Sequence, residues 1–307
     1  MSNMTNKFNK VTIIGGNGFI GTNLISKLMT EGFLISVLVR DREKAKNLWP
    51  LPNVDIIEYS NSLTSIKNCL PDSELLINLV GVLQSKVGKP WGPEFNEAHV
   101  ELASNIVEAT KESCYKKIIH ISALGSSENG PSMYLRSKAE GEKIFLSSNL
   151  KIIILRPSVV FGPGDKFLSM FADMHRFLPF IPLAAYQSLY QPLYIGDLTK
   201  IIQACIERNE SSNTIYECVG PDIYSLGDLV LLSGIISKRK KPVIPLPNSI
   251  SRIQAYIMEK LPGPTILSRD NLDSASIPNI SKDSHNVYPI SNPTSIKSIL
   301  SDYSHIR

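Results

Sequence analysis

Six apolar, β-branched runs recur through the first half of the chain: KVTIIG (10–15), LISVLV (34–39), VDIIEY (54–59), LLINLV (75–80), KKIIHIS (116–122) and KIIILRP (151–157). Each has the length of one strand and is apolar on both faces, so each needs cover on both sides. That is how parallel strands read when helices flank the sheet. Helix-period segments separate the runs, and the resulting βαβα order predicts an α/β fold with a doubly wound parallel sheet.

The pattern changes after residue 155. FGPGDKFLSMFADMHRFLPFIPLAAY (161–186) and KRKKPVIPLPN (238–248) read as parts of a second lobe, whereas QPLYIGDLTKIIQACIE (191–207) and TIYECVG (214–220) return strand, helix and strand. The expected division is a Rossmann-type dinucleotide-binding domain over 8–165, completed by 190–220, and a smaller C-terminal substrate or partner lobe from 166–189 and 221–307. YPISNPTSIKSILSDY (288–303) keeps helical Ile/Leu spacing and is expected to be ordered.

Composition sets the outer limits. Apolar residues make up 43% and charged residues 20% of 307, which supplies a core and excludes global disorder. The formal charge of +4 is scattered along the chain, so nucleic acid is not an expected partner. Cys69, Cys114, Cys205 and Cys218 stand far apart without metal-ligand spacing, so no metal is expected and they read as reduced thiols of a cytoplasmic protein. MSNMTNKFNK is polar, which argues against a secretory leader, and no apolar run approaches the roughly 18 residues of a spanning helix. A place on the inner face of a membrane remains open: PNSISRIQAYIMEKL (247–261) puts Ile250, Ile253, Ile257 and Leu261 on one helical face. Packing of that face on the small lobe is the expectation, with a membrane-surface helix as the alternative.

VTIIGGNGFIGTNLISKLM (11–29) carries the strongest local signal. Gly15, Gly18 and Gly21 lie between a strand and an amphipathic helix. A tight turn, approach of a pyrophosphate to backbone amides, and close packing of helix on strand each need a glycine there. The helix N-terminus adds free N–H donors and partial positive charge. Asn17, Phe19 and Ile20 stand between these glycines and are counted with them as cofactor-binding positions. Arg40 ends the second strand, where arginine favours a 2′-phosphate and an acid favours the 2′-hydroxyl, so NADP(H) is favoured over NAD(H). Asp41 beside it argues the other way.

YLRSK (134–138) places Tyr134 and Lys138 one helical turn apart. An ammonium near a phenol favours its ionised form, which would fit Tyr134 for proton exchange while Lys138 holds the nicotinamide ribose. His120, inside an apolar strand, reads as a core histidine. His99 reads as a loop anchor near the cofactor end. His175 and Arg176 divide between facing a substrate cleft and serving structure.

GGNGFIG, YLRSK, LRPSVVFGPGD and QPLYIGDL together resemble the extended and atypical short-chain dehydrogenase/reductase superfamily of epimerase/dehydratase type. YLRSKAEGEK, DKFLSMFADMHRFLPFIPL, QPLYIGDLTK and LSRDNL are most similar to the respiratory complex I alpha-subcomplex subunit nine family and its bacterial relatives. The resemblance implies a nucleotide held by Gly15, Gly18, Gly21 and Arg40, with Val80, Gly81, Pro157 and Val160 lining its nicotinamide end. It implies Tyr134 and Lys138 as the catalytic pair and association with the respiratory chain or a membrane. Its catalytic members also carry a Ser or Thr at the end of strand five, and that place falls on Ala123. Ser122 is the nearest strand candidate, one step away and on the opposite face. Ser126 and Ser127 offer a hydroxyl from the next loop. Three readings follow: an NADP(H)-linked oxidoreductase or epimerase/dehydratase acting on a small, lipid- or quinone-like substrate, a non-catalytic nucleotide-binding accessory protein, and a redox-sensing regulator.

Overall fold

The six runs form six strands: β1 (Lys10–Ile14), β2 (Leu34–Val39), β3 (Val54–Glu58), β4 (Leu75–Asn78), β5 (Lys117–Ile121) and β6 (Lys151–Pro157). With β7 (Thr214–Cys218) they make one seven-stranded sheet in the order β7-β6-β5-β4-β1-β2-β3. This computed structural model describes residues 9–208, 212–262 and 265–303. The polar N-terminal reading therefore falls, apart from Asn9 and Lys10, outside the described residues.

Strands β1 to β6 pair in parallel; Ile14, for example, lies between Leu38 and Asn78. The strand order reverses direction between β1 and β4, and in such sheets the crevice beyond that switch receives ligands. Residues 15–21 leave β1 at this point and continue into α1 (Phe19–Thr30). The sheet is doubly wound, as its apolar runs require.

The chain divides into two compact units: residues 1–122, 137–156 and 199–216 form the first, and 123–136, 157–198 and 217–307 the second. In the first, Ile14, Leu38, Leu76, Ile118 and Ile152 of the sheet meet Ile106 of α3 (Leu102–Thr110; α2 is Leu63–Cys69) and Phe145 of α4 (Met133–Leu146). Truncating one such buried aliphatic to alanine removes about 2–5 kcal/mol. His120 sits in this core as expected: its ring packs at a tilt of 36° against Phe145 with centroids 4.6 Å apart, and Nδ1 lies 3.2 Å from Asn78 Nδ2.

The second unit is built on α5 (Phe167–Phe177) packed against α7 (Leu226–Ile236), with Leu168 and Phe171 set against Leu229 and Val230. Three short strand pairs frame it: 160–161 with 193–194, 189–190 with 224–225, and 181–183 with 243–245. His175 resolves to structure. It is fully buried, Nε2 donates to Val230 O at 2.7 Å, and Nδ1 accepts from Lys241 N at 3.0 Å. The C-terminal helix Ile296–Tyr303 forms, and Ile296 joins Leu229 and Ile236.

One expectation is overturned. Helix α8 (Asn248–Met258; α6 is Ile195–Glu207) forms, but Ile250, Ile253, Ile257 and Leu261 do not pack on the lobe. Ile253 is 61% exposed while Ala255 is 0% exposed. The buried side of the helix consists of small residues, Ser251 and Ala255, and Ser251 Oγ bonds Pro247 O at 3.1 Å. The apolar stripe faces water.

Candidate functional site

Each glycine of the first turn is held to its role by what surrounds it. Gly15 has φ +81°, and a Cβ there would lie 3.0 Å from Val80 Cγ2. Gly21 lets the first turn of α1 press on the preceding loop, since a Cβ would come within 2.3 Å of Gly16 O. Gly18 is the N-cap of α1 and has no side chain to bond the first amides; an added Cβ would meet only Gly15 O, at 3.5 Å. The helix entrance is thus open backbone with unmatched donors and no acidic residue in its first turn, a fit for an anionic diphosphate. Asn17, Phe19 and Ile20 are only partly buried and share this turn. Gly16, which the sequence reading passed over, packs inward, and a Cβ there would strike Val37.

Arg40 stands exposed just after β2, and its Nη1 donates to Glu97 Oε1 at 3.1 Å. Glu97 went unnoticed in the sequence because it lies 57 residues away. Asp41 is turned to local work: its Oδ1 accepts from Glu43 N at 3.0 Å, capping the next helical turns.

The loop after β4 brings Val80 and Gly81 beside this turn. Asn78 Oδ1 accepts from Val80 N at 3.1 Å, and His99 Nε2 accepts from Val82 N at 3.1 Å. Because Nε2 is an acceptor, the neutral ring carries its proton on Nδ1, which donates to Ser137 Oγ at 2.8 Å. Burial pushes His99 down to about 2, with the Lys138 ammonium adding to the effect. The sequence reading of His99 as a loop anchor matches this geometry. A Cβ on Gly81 would sit 3.9 Å from Lys138 Nζ, so this loop and Lys138 converge.

Lys138 is 2% exposed and donates to Ile121 O at 2.8 Å. Burial lowers it to about 8, opposed by the Glu142 carboxylate one turn on. Glu142 is itself clamped by Arg156, Nε to Oε1 at 2.9 Å and Nη2 to Oε2 at 2.5 Å.

Tyr134 occupies the first turn of α4, in the second unit. Its backbone amide and that of Met133 donate to the two oxygens of Asp270, at 3.1 and 2.6 Å. Asp270 comes from the LSRDNL stretch, and burial raises its carboxyl above the usual range. The phenol does not behave as the neighbouring lysine suggested. Desolvation pushes Tyr134 up to about 12.

Ser122 is buried at the end of β5, its amide donating to Leu155 O at 2.7 Å. Ala123 follows, and Ser126 Oγ donates to Ala123 O at 2.7 Å, so that hydroxyl braces its own loop. Pro157 O accepts from Leu124 N at 2.9 Å, which ties the strand-six exit to the strand-five loop within the second unit; Val160 pairs with Leu193. All four cysteines are free thiols.

A parallel sheet with a glycine turn at its switch point, an anion-receptive helix entrance and a buried lysine defines a dinucleotide-binding α/β protein. The sequence profile of the NAD dependent epimerase/dehydratase family matches residues 11–227, and the chain belongs to that family. It is 27% identical over 85% of its length to the NADH dehydrogenase [ubiquinone] 1 alpha subcomplex subunit 9, mitochondrial, of Dictyostelium discoideum, covering 74% of that protein. The mouse protein of the same name is 29% identical over 77% of this chain, which spans 63% of the mouse protein. Both relatives are mitochondrial by name, unlike the cytoplasmic placement expected from the cysteines. Among solved structures, a nucleoside-diphosphate-sugar epimerase from Staphylococcus aureus superposes with a TM-score of 0.71, covering 95% of this chain and 99% of that one at 15% identity. At that identity the likeness supports the fold. No helix among the described residues is long and apolar enough to cross a membrane, and no group of potential metal ligands occurs among them.

Proposed function

We infer that the chain binds a nicotinamide dinucleotide and serves as an NADP(H)-linked oxidoreductase or epimerase/dehydratase-type enzyme. The observation that carries this reading is the open, donor-rich turn of Gly15, Gly18 and Gly21, with Val80 packed against it. When bound, the nicotinamide supplies or accepts a hydride. The amides at the head of α1 hold the diphosphate. Lys138, lowered to about 8 and oriented by Ile121 O, donates a hydrogen bond toward the ribose. His99, locked in one tautomer, fixes the loop that carries Gly81. Tyr134 holds the proton to be exchanged with a substrate oxygen, and its phenol, raised to about 12, stays protonated at neutral pH and acts as the donor.

The preference for NADP(H) rests on Arg40. Its exposed ion pair with Glu97 is worth about 0–1 kcal/mol, weak enough for a 2′-phosphate to displace. The substrate is taken to be small and lipid- or quinone-like, in line with the apolar FLPFIPL stretch of the second unit.

A second reading is favoured by two observations: Ala123 occupies the place of the usual hydroxyl, and Ser126 spends its own on the loop. In that reading the dinucleotide stabilises an accessory subunit of a respiratory complex, as the names of the relatives suggest. Binding to the native state alone provides such stabilisation. Titration of the purified protein with NADPH and NADH, followed by identification of copurifying small molecules by mass spectrometry, tests the first reading. Absence of affinity for both coenzymes ends it. Tyr134→Phe separates the two: lost turnover with retained NADPH binding supports the enzyme, and unchanged complex assembly or growth supports the accessory role.

A further inference from the structure

Lys138 is buried where an ammonium would ordinarily give up its charge. Of its three N–H groups one is taken by Ile121 O at 2.8 Å, and no other protein acceptor bonds it among the described residues. Two donors are left for a ligand. The titratable side chains set around it do not keep the charge in place. Helix α4 packs closely on the segment bearing His99, since a Cβ on Gly141 would come within 2.4 Å of His99 O. His99 and His120 of β5 are both neutral, pushed down by burial first and by the lysine's own charge second. Tyr134, four residues earlier on α4, keeps its proton. None of the three is an anion.

Glu142 supplies one. It follows Lys138 by one turn of α4, on the same helical face, and is 3% exposed. A carboxylate so deeply buried is costly unless it is paired, and left alone it would close on the nearest ammonium. Arg156 of β6 prevents this by taking both oxygens: Nε donates to Oε1 at 2.9 Å and Nη2 to Oε2 at 2.5 Å. Such a bidentate pair fixes the carboxylate in direction as well as in place. Glu142 therefore acts on Lys138 through its field, and the donors of the ammonium stay open.

We propose that Glu142, clamped by Arg156, is a positioning residue for the dinucleotide: it keeps Lys138 cationic and leaves two of its N–H groups to the ribose hydroxyls. The proposal rests on the reading that a nicotinamide dinucleotide binds here, and it adds the pair that sets the pH range of that binding.

Fluorescence titration of the full chain with NADPH between about pH 6 and about pH 9 tests it. Lys138 is charged below about 8, so the parent's affinity is highest there and falls as pH rises through that value. Glu142→Gln removes the anion and should lower this bend by about one unit, so that affinity drops about fivefold at pH 8 and is nearly unchanged at about pH 6. That variant leaves Arg156 unmatched; Glu142→Gln/Arg156→Gln, whose two amides can pair, avoids this and should shift the same way. Arg156→Gln releases the carboxylate onto the lysine's donors, so affinity falls about threefold or more near pH 6 while the bend stays at or above its value in the parent. Far-UV circular dichroism of each variant is the folding control. A bend within about 0.3 units of the parent's in both Glu142 variants, or a loss of affinity equal at every pH, assigns Glu142 to packing alone and overturns the proposal. A bend that moves down in Arg156→Gln overturns it as well. A parent without affinity for NADPH at any pH fails the nucleotide reading itself, and the proposal falls with it.

Discussion

Glu97 Oε1 lies 3.1 Å from Arg40 Nη1, so the arginine that ends β2 is held by an acid from the far side of the loop after β4. A 2′-phosphate competes with that carboxylate for the same guanidinium. Glu97→Gln removes the competitor and is expected to raise NADPH affinity about two- to fivefold, the worth of an exposed pair, with little effect on NADH. Arg40→Asp should move preference toward NADH. Fluorescence titration of both variants with both coenzymes checks this, and an unaltered NADPH-to-NADH ratio would remove Arg40 from cofactor selection.

Asp270 fixes the start of the helix that carries Tyr134. Its two oxygens accept from Met133 N and Tyr134 N, a carboxylate cap at the end of α4 where the helix field favours negative charge. Asp270→Ala leaves both amides without that acceptor and should destabilise the protein by about 1–2 kcal/mol. Asp270→Asn keeps one acceptor and should lose less. Urea unfolding midpoints measure the difference, and an alanine variant as stable as the parent would show that the cap is not needed.

The central strands were legible because a parallel strand buried on both faces is apolar nearly throughout; β3, at the sheet edge with Asp55 and Glu58 exposed, meets that demand only in part. The glycine turn was legible because strand, turn and helix are contiguous in sequence. Pairings across long separations were not. Glu97 is 57 residues from Arg40, and Asp270 is 136 from Tyr134; neither has a local pattern that points to its partner. Helical spacing in 247–261 reported that Ile250, Ile253 and Ile257 share a face, but spacing cannot report which way the face turns. Small Ser251 and Ala255 were the overlooked sign that the other side sits against the lobe. For Tyr134, sequence displayed the neighbouring lysine and concealed the desolvation that dominates the phenol.

Lys117 opens β5 with a charged side chain inside the protein, and its partners explain why that is tolerated. Nζ donates to Cys205 O at 2.9 Å, Ile206 O at 3.1 Å and Arg208 O at 2.6 Å, the carbonyls left over at the end of α6. A cation there also meets the negative end of the helix dipole. Lys117→Met keeps the volume and strips the donors, so about 2–4 kcal/mol of stability should be lost. Chemical denaturation monitored by far-UV circular dichroism reads the effect; a change below about 0.5 kcal/mol, the range of ordinary surface substitutions, would contradict this role for Lys117.

His99 links the loop after β4 to stability against acid. Its folded-state value of about 2 lies below the ordinary 6.5, so between these limits the unfolded chain binds a proton that the native ring refuses. Stability attributable to this residue is therefore complete above about pH 6.5 and declines as pH falls toward 2. Each pH unit across the middle of that window removes about 1.4 kcal/mol per such group. His120, also buried and lowered by desolvation, contributes in the same direction. His99→Gln is expected to be less stable at neutral pH, because the Val82 and Ser137 contacts are disturbed, yet to lose stability less steeply between pH 6 and 5 by about one proton's slope. Urea unfolding across that interval decides the matter: parallel pH profiles for parent and variant would show that His99 is charged in the native protein.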